Sequence, residues 1–146
     1  MEKDKKAVTI LLVEDDPGHA RLIEKNLRRS NIMNEIINVS DGQQAVDFLF
    51  GVDGGSKKPS PLLILLDLNI PILDGYQVLK RIKAEESTKK IPVVILTSTD
   101  DDREIRKCYE LGCNVYVTKP VDYEHFADAI RKLGLFLNIV QMPSED

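Results

Sequence analysis

The chain has 146 residues, of which 42% are hydrophobic and 30% are charged. This length predicts one domain with a single core, and this balance is typical of a soluble globular protein. The net charge of −4 gives no electrostatic reason to expect binding to nucleic acid or to anionic lipid. The polar start of the chain lacks the apolar stretch of a secretion signal, and no apolar run approaches the roughly 20 residues that cross a bilayer.

The first half of the chain predicts two strand–helix units. The apolar segment 8–13 indicates a strand, and Asp16 with the proline after it marks the start of a helix. A short strand at about 35–39 comes next. Asp41 then indicates the cap of a second helix, and Gln44 three residues later fits a capping box.

The second half of the chain predicts three more units. The apolar run 62–66 ends in Asp67 and is typical of a central strand that is covered on both faces. The remaining elements follow in the order helix, strand, helix, strand and helix, and they begin near Asp74, Pro92, Asp101, Val115 and Asp122. Five such units predict an α/β fold, with a doubly wound five-stranded parallel sheet between two layers of helices.

The two cysteines, Cys108 and Cys113, match no metal-ligand spacing. We expect both to be reduced thiols in the core of a cytoplasmic protein, because disulfides form mainly in oxidising compartments. A disulfide or a redox pair is the alternative interpretation.

Residues suited to chemistry stand at the ends of four predicted strands. They are Glu14-Asp15-Asp16 after the first strand, Asp67 after the third, Thr97-Ser98 after the fourth and Thr118-Lys119-Pro120 after the fifth. In a doubly wound sheet the carboxyl ends of the strands open onto one crevice. We therefore expect acids, a hydroxyl group and a lysine to meet there from widely separated parts of the chain.

This set of residues predicts phosphoryl transfer to a carboxylate beside a divalent metal. Glu14, Asp15 and Asp67 would repel one another unless a hard cation joined them, and oxygen ligands with room for water suit Mg²⁺. Lys119 would neutralise an incoming phosphoryl group, and Thr97 can donate a hydrogen bond to it. Asp67 is the best-placed nucleophile, and its attack on phosphorus would give an acyl phosphate.

Each of these features also has an ordinary structural explanation. The acids after the first strand could cap a helix, and the other residues could belong to turns, a strand end and the surface. That explanation requires four independent coincidences, in which complementary groups stand at one edge of a sheet by chance. The functional interpretation is therefore favoured.

With these residues in place, the chain resembles the receiver domains of two-component response regulators. The resemblance runs from Val8 to about Val140 and rests on ILLVEDD at 10–16, LLDLNIPILDG at 65–75, PVVILTS at 92–98 and YVTKP at 116–120. It implies the flavodoxin-like (βα)5 fold, with strand order 2-1-3-4-5, as a single receiver domain over residues 1–146 without an output domain. It also implies a cytoplasmic phosphoacceptor of phosphorelay signalling rather than an enzyme, with self-catalysed phosphorylation and dephosphorylation.

The resemblance implies a Mg²⁺ site built from four residues. Asp15 matches the direct metal ligand of the family, and Glu14 matches the acid that usually reaches the metal through water. Asp67 is the third acid of the site. Asn69 matches the residue whose backbone carbonyl ligates the metal.

The resemblance also implies the residues that handle the phosphoryl group. Asp67 matches the phosphoacceptor, and Lys119 matches the cation that contacts the phosphoryl group. Pro120 matches a proline that often follows this lysine in a cis peptide. Thr97 matches the switch hydroxyl, and Tyr116 matches the aromatic switch residue that turns inward as the hydroxyl moves.

Four further features narrow the resemblance to the small regulators that partner bacterial phytochromes and related hybrid histidine kinases. They are VEDDPGHARL, DGQQAVDFL, the long loop before the third strand and the tail LGLFLNIVQMP. The implied partners are a histidine kinase or a histidine phosphotransfer protein, and a separate downstream effector. In that group an extended C-terminal helix often helps to build a homodimer. Here the segment at about 134–143 is apolar almost all round, so it either joins the fourth helix, fifth strand and fifth helix in a homodimer or packs on its own domain.

Three other functions compete with this interpretation. A phosphatase of the haloacid-dehalogenase type also uses a strand-end Asp with Mg²⁺, but it needs a second Asp where this chain has Asn69. A nucleotide binder of the same fold class needs Gly, Ser or Thr after the first strand, where this chain has three acids. An interaction module that never uses phosphate stays open.

Overall fold

The computed structural model describes residues 8–29, 31–52, 58–98 and 100–119. The strands in these ranges are β1 (Thr9–Val13), β2 (Ile36–Val39), β3 (Leu62–Leu66), β4 (Val93–Thr97) and β5 (Val115–Thr118). The helices in the same ranges are α1 (Pro17–Arg29), α2 (Gly42–Phe50), α3 (Gly75–Ala84) and α4 (Asp102–Glu110). The strands pair in parallel in the order β2-β1-β3-β4-β5, which confirms the predicted α/β fold and strand order.

The core is divided between the two faces of the sheet. Successive side chains of a strand point to opposite faces, so β3 sends Leu63 and Leu65 to one face and its other three residues to the opposite face. The first face is covered by α1, through Ala20, Ile23 and Leu27. The second is covered by α2, α3 and α4, through Ala45, Leu49, Val78, Leu79, Ile82 and Cys108. All five residues of β3 are buried, as expected of a central strand with helices on both sides.

Asp41 and Asp74 cap α2 and α3, as the sequence predicts. Asp41 Oδ1 accepts from Gln44 N at 2.7 Å, but the Gln44 side chain accepts from Ser40 N at 2.7 Å and not from the amide of Asp41, so the capping box predicted there is only half formed. A complete capping box opens α3, where Asp74 and Gln77 exchange hydrogen bonds of 2.9 Å each. These bonds satisfy amide groups that the first turn of a helix leaves unpaired, and they fix where each helix begins.

Cys108 and Cys113 are free and buried, which confirms the expectation of core thiols. Burial raises the pKa of the Cys108 thiol to about 11 and that of Cys113 to about 12. Because the thiolate is the reactive form of cysteine, both groups are poor nucleophiles in this fold.

Three predicted features lie outside the described residues. They are the fifth helix with its cap at Asp122, the peptide bond between Lys119 and Pro120, and the apolar segment at about 134–143. Within the described part of the chain, no helix combines the length and the hydropathy that a membrane span requires.

The start of α2 rests against the loop that joins β3 to α3. Gly42 N donates to Pro71 O at 3.2 Å. A Cβ atom at Gly42 would overlap the carbonyl oxygen of Leu73 and lie 2.6 Å from the Leu73 Cβ. Only glycine therefore lets α2 approach this closely to the loop that begins at Asp67.

We predict that Gly42→Ala lowers the free energy of unfolding by about 1–3 kcal/mol, because the added methyl group collides with backbone that has no room to move. Urea denaturation measures the change. Gly18→Ala is the matched control in the first turn of α1, where a Cβ would lie 3.2 Å from a side-chain oxygen of Asp16. The control should stay within about 1 kcal/mol of the parent protein. Equal losses in the two variants would argue against tight packing at Gly42.

Candidate functional site

Three carboxylates meet at the carboxyl ends of β1 and β3. One oxygen each from Glu14, Asp15 and Asp67 lies within 4.8 Å of the other two. The strand ends are fixed side by side, because Asp67 N donates to Val13 O at 3.1 Å. Glu14 and Asp67 are buried, whereas Asp15 is exposed. The cluster is therefore embedded in the sheet edge and open to solvent on one side.

Lys119 brings a positive charge to this cluster from the end of β5. Its Nζ lies 2.6 Å from Glu14 Oε1 and 3.1 Å from Asp67 Oδ2. Burial acts to lower the pKa of Lys119, but the hydrogen bond to Glu14 and the charges of Asp67 and Glu14 outweigh it and raise that pKa above its ordinary value. The lysine therefore stays protonated beside the two buried acids.

The donor set fits a hard divalent cation. Lys119 supplies one positive charge against the three carboxylates of the cluster, so negative charge remains in excess among them. Carboxylate oxygens are the ligands of Mg²⁺ and Mn²⁺, and the exposed side at Asp15 leaves room for the waters that such ions retain. Glu14, Asp15 and Asp67 are thus the residues that could hold the metal.

Asn69 follows closely on the central acid. Its backbone N–H donates to Asp67 Oδ1 at 3.1 Å, so the chain turns back toward the cluster directly after β3. This bond fixes one oxygen of Asp67, while Lys119 contacts the other. The metal-binding role of the Asn69 carbonyl stays a prediction.

Thr97 is fully buried at the end of β4. Its Oγ1 has no hydrogen-bond partner among the described residues. Burying a hydroxyl group without a partner costs stability, so Thr97 is a candidate to bind a group that enters the site. Its backbone oxygen accepts from Lys119 N at 2.6 Å, which ties the two site residues together across β4 and β5.

Tyr116 lies in the middle of β5, where it pairs with Ile95 of β4. Its side chain is half-buried and packs against the hydrophobic cluster beneath α2, α3 and α4. Burial raises the pKa of Tyr116 to about 12, so the phenol keeps its proton. The structure places this residue on the α4 side of the sheet, and its switching role stays a prediction.

Two residues that were not predicted from the sequence lie against the site. His19 Nδ1 lies 3.2 Å from Lys119 Nζ. Asn38 Nδ2 donates to Leu12 O at 2.9 Å and so braces the end of β1 from β2. A signal for His19 did exist, because it stands three residues after Asp16, about one helical turn, and α1 begins at the acid cluster. No pattern in the sequence pointed to Asn38.

A family model of the response regulator receiver domain matches residues 10–131. A response regulator receiver domain from Rhodospirillum rubrum has a solved structure with 55% identity and a TM-score of 0.80, over 94% of this chain and 98% of that one. The response regulator Rcp1 from a Synechocystis species is 38% identical over 136 residues, which are 92% of each chain.

Two further solved structures are similar to this chain over most of its length. The Mn²⁺-bound form of Rcp1 has 37% identity and a TM-score of 0.76, over 94% of this chain and 99% of that one. The phosphorylated cyanobacterial phytochrome response regulator RcpA has 34% identity and a TM-score of 0.76, over 91% of this chain and 95% of that one. Each similarity thus spans more than nine-tenths of this chain.

We predict that Asp15→Asn is more stable than the parent protein without Mg²⁺ and less stable than the parent protein with Mg²⁺. Without the ion the variant should be more stable than the parent protein by about 0.5 kcal/mol, because one of three repelling charges is gone. With Mg²⁺ the parent protein should gain stability through binding and the variant much less. Thermal unfolding over a Mg²⁺ titration measures both effects.

Asp47→Asn is the matched control, since it removes the same charge on α2, outside the carboxylate cluster. It should leave the Mg²⁺-dependent gain unchanged. If Asp15→Asn shows the full gain as well, Asp15 is not a metal ligand.

Proposed function

The chain belongs to the response regulator receiver domain family, and on that basis we propose that Asp67 accepts a phosphoryl group beside Mg²⁺ bound at Glu14, Asp15 and Asp67. Receiver domains are phosphoacceptor signalling proteins that bind divalent metal ions at an acidic site. The observation that most supports the proposal is the cluster itself, in which a buried Asp67 contacts Lys119 at 3.1 Å and lies within 4.8 Å of two other acids.

In the proposed reaction Asp67 is the nucleophile. One of its carboxylate oxygens attacks phosphorus, an O–P bond forms, and the P–N bond to the donor histidine breaks. Glu14, Asp15 and Asp67 would hold a Mg²⁺ ion, which would supply positive charge to the phosphoryl oxygens. Lys119 donates to one of these oxygens, since its ammonium already lies against Asp67. In the reverse half of the cycle, water attacks phosphorus, the bond between phosphorus and the Asp67 oxygen breaks, and inorganic phosphate leaves. We assign catalysis of both steps to the same residues of the chain.

The signal in this proposal is a change in packing between β4 and β5. A phosphoryl group adds a charge of about −2, judged from other phosphorylated residues. The buried hydroxyl of Thr97 turns to donate to it, and Tyr116 moves into the space that Thr97 leaves. Near-complete switching from a 1:99 population needs about 5.5 kcal/mol of differential stabilisation, which a set of ionic and hydrogen-bond contacts is able to supply.

The proposed partners follow from the chemistry of the site. Receiver domains partner histidine kinases or phytochromes, and the proposed donor is a histidine kinase or a histidine phosphotransfer protein. Similarity to a phytochrome response regulator supports a phytochrome as one such partner. Residues 1–146 act in the cytoplasm as one receiver domain and pass the signal to a separate effector protein.

A homodimer is also part of the proposal. Its interface combines α4, β5 and the predicted fifth helix with the apolar segment at about 134–143. Support comes from the sequence of that segment, which is apolar over more of its surface than one helix face requires. Phosphorylation reshapes the same face, so it would also change the strength of association.

We predict that a small acyl phosphate with Mg²⁺ adds the mass of one phosphoryl group to the intact chain. Asp67→Asn should lose the addition, because an amide is a far weaker nucleophile than a carboxylate. A chelator should suppress it in the parent protein. Intact-mass spectrometry is the measurement, and Asp47→Asn is the charge-matched control that should react normally. Equal labelling of Asp67→Asn and the parent protein would refute the assignment of the nucleophile.

We predict that the protein forms a dimer whose population rises with beryllofluoride and Mg²⁺, which together mimic the phosphorylated state. Light scattering coupled to size-exclusion chromatography gives the mass under both conditions. A monomer with and without the mimic would mean that the apolar segment packs on its own domain.

A further inference from the structure

The Lys119 ammonium has three partners in the described part of the chain. Its Nζ lies 2.6 Å from Glu14 Oε1, 3.1 Å from Asp67 Oδ2 and 3.2 Å from His19 Nδ1. A protonated lysine has three N–H donors and no acceptor, so each of its donors has one partner here. Two of the partners are the acids of the site, and the third is an imidazole from α1.

The chemistry of this contact favours one tautomer of the imidazole. Because Lys119 can only donate, the contact is a hydrogen bond when His19 Nδ1 accepts, which is the tautomer with its proton on Nε2. Nε2 faces Asp16 Oδ2 at 4.0 Å. Asp16 Oδ1 also accepts from the backbone N–H of His19 at 3.1 Å and from Gly18 N at 2.8 Å. The first turn of α1, which carries the ring, is thus anchored.

His19 also stands at the boundary between the site and the solvent. Its side chain is 55% exposed, whereas that of Lys119 is 9% exposed. The ring therefore contacts the outer side of a lysine that is otherwise enclosed. Without an acceptor there, the third N–H would turn to water, and the ammonium would lose one of the three contacts that fix its position.

We propose that His19 is a positioning residue for Lys119. Its imidazole Nδ1 accepts the third ammonium N–H and holds the positive charge between Glu14 and Asp67. The inference rests on the proposed role of Asp67 as phosphoacceptor, because the position of Lys119 affects the rate of phosphoryl transfer to that residue. A hydrogen bond of ordinary strength contributes about 1 kcal/mol, so the rate of phosphoryl transfer should depend on it by about fivefold.

Three substitutions separate hydrogen bonding from packing. His19→Asn places an oxygen acceptor at the δ position, where Nδ1 stands in histidine. His19→Phe keeps a ring of similar size without an acceptor. Leu22→Phe is the control, because Leu22 is an exposed residue of the same helix and outside the site.

The first measurement is the rate of phosphorylation of the full chain by acetyl phosphate at saturating Mg²⁺. We expect His19→Phe to slow it about fivefold, and His19→Asn and Leu22→Phe to stay within about twofold of the parent rate. Thermal unfolding should give similar midpoints for all four proteins. An unchanged rate in His19→Phe, or an equal loss in His19→Asn, would overturn the positioning role.

The second measurement needs no phosphorylation. Long-range ¹H–¹⁵N NMR spectra of the metal-free chain at pH 8 report which ring nitrogen carries the proton. The sequence has two histidines, and His19→Phe identifies the signal of His19. We expect the Nε2–H form, and a proton on Nδ1 would overturn the inference. If the Nε2–H form is found but the parent protein takes up no phosphoryl group, the contact stands and the proposed function of Asp67 fails.

Discussion

The site depends on the balance of charge around two buried carboxylates. The side chain of Glu14 is 1% exposed and that of Asp67 is 8% exposed, and each needs a partner, because an unpaired charge at such depth costs several kcal/mol. Lys119 supplies that partner to both. Asp15 adds a further negative charge that the lysine does not balance. The same arrangement that gives each buried acid a positive partner therefore also leaves negative charge in excess, which favours a divalent cation.

Backbone hydrogen bonds between neighbouring strands fix the positions of the site residues. Parallel pairing sets the end of β1 beside the end of β3, and the backbone bond between Lys119 and Thr97 does the same for β5 and β4. At the start of α3, a Cβ atom on Gly75 would lie 2.6 Å from the carbonyl oxygen of Asp67. The proposed phosphoacceptor thus stands on a loop that is packed against two helix starts.

Much of this arrangement could be predicted from the sequence, since apolar strands that end in polar residues define both the sheet and its functional edge. Asp67 after the run 62–66 is the clearest case. The strand order came from the family resemblance, because hydrophobic periodicity does not encode which strands are neighbours. The contact of His19 could not be predicted, since it depends on how far two side chains reach between α1 and the end of β5. The close approach at Gly42 could not be predicted either, because it depends on tertiary packing and not on a local sequence pattern.

The proposed function requires that Glu14, Asp15 and Asp67 form one cation site. A crystal structure of the chain grown with Mn²⁺, with anomalous diffraction data, provides the decisive test. We expect a single strong anomalous peak at this edge of the sheet, in contact with oxygens of Asp15 and Asp67 and within reach of Glu14 directly or through one water. Absence of a peak at saturating Mn²⁺, or a peak bound only at other acids, would contradict the claim.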